Sequence, residues 1–96
     1  MSEFERILKR IREKVRTREY IISIHADDEM DDDDIDVYNV EHVLLTGSLI
    51  ERQKDRETHE WKYLIEGQSR DQERNIIVVV KLTPTGKLVW LTVYEA

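Results

Sequence analysis

Apart from one short β-branched stretch at 20–25, the spacing of apolar residues changes once along this chain, at Gly47, and that change constrains the fold more than any other feature. Before it, apolar residues recur every three or four positions, the period of a helix lying on a core; after it they run or alternate as strands do. Phe4, Ile7, Leu8, Ile11 and Val15 form one helical stripe, and Ser2 and Glu5 have the spacing of a capping box. Arg6, Arg10, Lys14, Arg16 and Arg18 fall mostly off that stripe and should face water. Residues 20–25 are β-branched and aromatic and read as a strand. In the stretch after them only Ala26 and Met30 are apolar, which suits a short helix or turn with its acids in solvent. Asp36 has the place of an N-cap for a helix over 37–46, with Val37, Val40, Val43 and Leu44 as its stripe and Gly47 as its stop.

Four strand segments follow, at 48–53, 61–66, 75–82 and 87–94. The third is apolar on both faces and belongs at the sheet centre. Thr83-Pro84-Thr85-Gly86 is a turn, with proline presetting φ and glycine free to take φ > 0. Helices first and then a meander predict an α+β domain, with N-terminal helices packed on a four-stranded, mainly antiparallel sheet. A chain of 96 residues supports one such domain, with 1–18 as a basic helix and 19–96 as the α+β body. In the last strand, strict alternation puts Val89, Leu91 and Val93 on the core face and Leu88, Trp90, Thr92 and Tyr94 on the other. Trp90 and Tyr94 would then either pack under a loop or form a platform for a ligand or base.

Composition removes several function classes. No cysteine is present, so disulfides, thiol nucleophiles and thiolate metal sites are excluded. The longest apolar run, residues 76–80, is far short of a membrane span, and the start lacks the apolar centre of a signal peptide, so a cytoplasmic location is expected. The net charge of −6 conceals three unlike segments. Residues 1–18 hold seven Lys/Arg and three Glu, residues 19–41 hold ten Asp/Glu and no Lys or Arg, and residues 42–96 are balanced. A basic head therefore stands beside an acidic neck.

Most chemical motifs fail on inspection. His25, His42 and His59 are each 17 residues apart, which is no metal-ligand pattern, and no metal or other cofactor is expected. A calcium loop counted from Asp32 needs Gly and Glu where Val37 and Val43 stand. Glycine-rich phosphate loops, dinucleotide fingerprints and nucleophile elbows are missing. A basic and aromatic set remains: Arg52, Lys54, Arg56, Trp61, Lys62, Tyr63, Lys81, Trp90 and Tyr94. RNA cleavage without a metal needs a base for the 2′-OH proton, cations for the phosphate and an acid for the leaving 5′-oxygen. His25, Lys62 or Lys81 fit the base or acid, Arg52 and Arg56 the phosphate clamp, Tyr94 the acid or orienting group, and Trp61 or Trp90 a base-stacking ring. Taken alone, the same residues are explained more simply as cross-strand charge pairs and edge aromatics.

The ordered segments 20–26, Met30, 36–41, Gly47, 49–52 and 92–95 resemble a prokaryotic family catalogued as domain of unknown function 4258, whose patterns are S-x-H-A-x-x-R-M, D-V, G-x-x-I-E and T-V-Y-E. Glu29 stands where that pattern has Arg. Residues 55–64 resemble a subgroup reading D-R-E-T-G-E-W-K-Y. The family is similar to RelE-like toxins, often paired with a small antitoxin carrying a YgiT-type zinc finger. The resemblance implies a RelE-like architecture and a toxin that cleaves RNA without a metal. By position it implicates His25, Arg52 and Tyr94, with Lys62 and Lys81 behind them. The alternative is a catalytically inactive toxin-like module that binds protein through its acidic segment.

Overall fold

A computed structural model describes all 96 residues. The elements run α1 (Glu3–Arg16), β1 (Tyr20–Ile22), α2 (Ile24–Asp32), α3 (Val37–Thr46), β2 (Ser48–Lys54), β3 (Trp61–Gln68), β4 (Asn75–Leu82) and β5 (Leu88–Glu95). The α+β class holds, but the sheet has five strands, in the order β1-β5-β4-β3-β2, where four were expected. Strands β2 to β5 form the antiparallel meander, and β4 lies at the sheet centre. The fifth strand, β1, pairs in parallel with β5 from Tyr20↔Leu88 to Ile22↔Trp90. A parallel neighbour needs a crossover, here everything from α2 to β4, so nothing local to residues 20–22 announces it.

The expected strand over 20–25 ends early. The Ser23 hydroxyl accepts from Ala26 N–H at 3.0 Å and donates to the Leu91 carbonyl at 3.2 Å, so the chain caps a helix while still tied to β5. His25 consequently lies in the first turn of α2, where helical spacing puts it beside Glu29. The other caps agree with expectation. Ser2 accepts from Glu5 N–H at 3.1 Å, Asp36 accepts from Asn39 N–H at 2.8 Å, and Gly86 takes φ +86 in the last turn.

The helices contribute Ile11, Val15, Ala26, Met30, Val40, Val43 and Leu44 to one buried cluster with the sheet residues Tyr63, Ile65, Val78, Val80, Leu88, Trp90 and Val93. The other sheet face carries no helix. Two β-bulges decide which side chains point where. In β5 the pairing jumps from Val79↔Thr92 to Val80↔Trp90, leaving Leu91 as the extra residue. The expected alternation therefore breaks: Leu88 and Trp90 are buried before the bulge and Val93 after it. Trp90 is fully buried and its ring stacks on Tyr20 at 4.3 Å, so it is no platform for a base. In β2, Ile50 is the extra residue between Leu49↔Ile65 and Glu51↔Leu64. Beyond it Arg52 pairs with Tyr63 and shares the helix-bearing face.

Gly47 ends α3 with φ −77, so it is not there for a left-handed turn. A Cβ on it would meet the Glu66 carbonyl oxygen at 2.5 Å and the Val43 carbonyl oxygen at 2.6 Å. Arg12 of α1 donates to the carbonyls of Leu44 at 3.2 Å and Gly47 at 2.8 Å, serving helix-end acceptors and pinning α1 to α3.

Candidate functional site

The five residues singled out from the sequence do not meet at one point. Lys62 and Lys81 do share a small cleft of about 160 Å³ on the helix-free face with Thr58 and Leu91. Each is held by an acid: Lys62 Nζ lies 3.2 Å from Asp55 and Lys81 Nζ 3.4 Å from Glu60. Tyr94, opposite Ile77, is on that face toward the other end of β5. His25 Nε2 is 3.2 Å from Glu29 Oε1, which also accepts the Val93 N–H at 3.0 Å. Glu29 thus serves a backbone donor of β5 beyond the end of β1, a role its charge in the sequence did not suggest. Arg52 lies on the opposite face from Tyr94, and three strand spacings, about 14 Å, separate β2 from β5.

Arg52 belongs to a different grouping. Its guanidinium lies 4.6 Å from the Trp61 ring centroid and 6.0 Å from that of Phe4, and Lys54 Nζ is 5.6 Å from Trp61. Trp61, 40% exposed, opens onto a cleft of about 370 Å³ shared with Arg10, His59, Glu60, Tyr63 and Pro84. Tyr63 is buried beneath it, and desolvation pushes its phenol upward, keeping it a neutral hydrogen-bond donor. Arg10 and His59 were not among the expected site residues. Nothing local marks Arg10, because the azimuth at which α1 docks is set by its packing on α3 and β5; for His59 the signal was its place in the loop just before Trp61.

That loop is built by Asp55. Its carboxylate accepts from Thr58 N–H at 3.1 Å and Glu57 N–H at 2.9 Å, while Asp55 N–H donates to the Glu60 carbonyl. Those backbone donors, with Lys62 beside them, pull the Asp55 carboxyl down to about 2. Its folded value lies below the unfolded one, so its stabilisation is present above about pH 4 and disappears as pH falls through about 2. An NMR titration should accordingly show the Glu57 and Thr58 amides moving together with a midpoint near pH 2, well below that of an ordinary surface Asp.

The charged segments are also separated in space. α2 packs on β5, and Arg74 donates to the Asp33 and Asp34 carbonyls at the Gln68–Asn75 end of the sheet. Trp61 begins β3 at the other end, about 23 Å along the strand. The basic α1 reaches the cleft through Arg10, and the acidic neck lies away from it. No group of three or more His, Asp or Glu side chains gathers as a metal site, and no helix is long and apolar enough to cross a membrane.

A family model described as "Domain of unknown function (DUF4258)" matches residues 22–95. The chain belongs to this family. The match covers α2 through β5 and leaves α1 outside; from α1, Arg10 lines the Trp61 cleft, while Glu3 and Phe4 contact Arg52 beside it. No curated protein and no solved structure matches the chain.

Proposed function

We propose that this DUF4258 protein is the toxin-like component of a toxin–antitoxin pair, similar to RelE-like toxins, and that it binds and cleaves single-stranded RNA without a metal. The observation that carries this reading is the Trp61 cleft, where a half-exposed indole, two clustered cations and proton-transfer groups adjoin. An unpaired base stacked on Trp61 gains about 1–3 kcal/mol, whatever its identity. Arg52, Lys54 and Arg10 neutralise the phosphate. His59 or Glu60 takes the 2′-OH proton as the 2′-oxygen attacks phosphorus, and the partner group protonates the departing 5′-oxygen, leaving a 2′,3′-cyclic phosphate and a free 5′-OH. Lys81 supports this by holding Glu60, and Lys62 by holding Asp55 at the base of the loop. The partner is an antitoxin with a YgiT-type zinc finger.

His59 is this chain's departure from the D-R-E-T-G-E-W-K-Y pattern, which has glycine there. It adopts φ +60, a region that costs a side-chain-bearing residue roughly 1–2 kcal/mol. Replacing His59 with glycine should therefore raise stability by about 0.5–1 kcal/mol while lowering RNA cleavage. Denaturant unfolding and a cleavage assay on one preparation test both halves.

The principal test is incubation of the purified protein with single-stranded RNA in the presence of a metal chelator. Wild type should bind and cleave, and Trp61→Ala should weaken binding by about 5- to 100-fold. An unchanged affinity for Trp61→Ala, or no RNA binding at all, rules the reading out.

One observation favours a protein-binding module instead: Asp27, Asp28 and residues 31–34 are all exposed, and none of their carboxylates has an ion-pair partner. That reading requires salt-sensitive capture of a basic protein, lost when these aspartates become asparagine, and no cleavage.

A further inference from the structure

Arg52 has a carboxylate already seated on it. Glu3 Oε1, from the first turn of α1, lies 2.6 Å from Arg52 Nη1, while the same guanidinium stacks on Trp61. A carboxylate and a phosphodiester offer a guanidinium the same paired anionic oxygens. The ring centroid of Phe4, the next residue, lies 6.0 Å from the same guanidinium. We infer that Glu3 occupies the phosphate position of a nucleotide subsite formed by Arg52 and Trp61, so that α1 masks the site until RNA displaces its first turn.

This rests on the RNA-binding reading above and adds to it the location of one phosphate and a built-in competitor. The geometry suits a single-stranded phosphodiester, whose base lies on the indole while its phosphate meets the guanidinium stacked there. The competitor is a weak one. Both partners are solvent-accessible, with Glu3 64% and Arg52 34% exposed in their side chains, and an exposed pair of this kind opens readily. Masking by such a pair lowers apparent affinity by the fraction of molecules in which the site is closed.

The test is fluorescence anisotropy with a labelled single-stranded oligouridylate across a salt series, comparing wild type, Glu3→Gln, Glu5→Gln and Trp61→Ala. Glu5 is the second acid of that turn and forms no ion pair, so Glu5→Gln controls for general charge and for helix capping. Glu3→Gln should bind about 2- to 5-fold more tightly at low salt, with the advantage fading by about 0.5 M salt as the ion pair is screened in wild type too. Glu5→Gln should show a smaller change. Equal gains for the two variants, or none for Glu3→Gln while Trp61→Ala loses affinity, would sink the mask and leave the RNA reading intact. Indifference of binding to Trp61→Ala as well would remove the subsite itself. Unchanged thermal melting of Glu3→Gln keeps a folding defect from imitating either result.

Discussion

Replacing Trp90 with alanine should lower stability by about 3–5 kcal/mol, the largest effect expected of any single truncation in this chain. Trp90 is fully buried, stacks on Tyr20 at 4.3 Å with ring planes 13° apart, and ties β5 to β1 through its backbone. The Tyr20 hydroxyl in turn donates to Glu41 at 2.7 Å, and burial together with that carboxylate pushes the phenol up to about 12. Removal of the indole opens a cavity at the junction of the sheet edge and the helices. In a domain of this size each kcal/mol moves the melting temperature by about 4–8 °C, so circular dichroism would register a fall of roughly 15–30 °C. Trp90→Phe makes a useful contrast. The indole Nε1 has no hydrogen-bond partner within the protein, and phenylalanine removes that buried donor while keeping a ring against Tyr20. Its loss should be about 1 kcal/mol. Both variants delete Nε1, so equal losses for the two would show that the ring kept against Tyr20 contributes nothing.

Gly47→Ala should destabilise by about 3 kcal/mol, with little to recover by relaxation. The new methyl would stand 2.5 Å and 2.6 Å from two carbonyl oxygens, and both are backbone atoms that no rotamer change can move. The neighbouring Gly67 has the same constraint from the other side, since a Cβ there would lie 3.0 Å from the Gly47 Cα. The two glycines let the end of α3 cross β3 at backbone contact, and Arg12 spans the crossing through the carbonyls of Leu44 and Gly47. Chemical denaturation should show a lower midpoint for Gly47→Ala with an unchanged slope. Gly86→Ala supplies the comparison: its strain is the local one of φ +86, its Cβ would meet only the flexible Lys14 Nζ at an ordinary 3.7 Å, and its loss should be smaller.

The Trp61 cleft is only partly legible in the sequence. Arg52, Trp61 and Lys54 lie close in the chain on adjacent strands, and their basic and aromatic character was visible without coordinates. The companionship of His25 and Tyr94 with Arg52 was not a matter of sequence distance but of sheet order. Strand β2 is at one edge, β1 leads into His25 at the other, and Tyr94 faces away from Arg52. The place of the acidic neck relative to the cleft was likewise not readable from its charge. In the folded molecule α2 directs it along β5 toward the Gln68–Asn75 end, away from the cleft that Arg10 helps to line.

Local chemistry by itself determined the element types, the caps at Ser2 and Asp36, the glycine turn at Gly86, the central place of β4 and membership of the DUF4258 family. These depend on periodicity and on hydrogen bonds between residues a few positions apart. Tertiary structure decided the faces on either side of the bulges, those after Ile50 in β2 and those before Leu91 in β5. A bulge is a mismatch between two strands, one residue against none, and its position is set by how the partner strand and the helices above it pack. One such residue in β5 buried Trp90 and kept Tyr94 out of the core; another turned Arg52 toward Trp61 and Glu3.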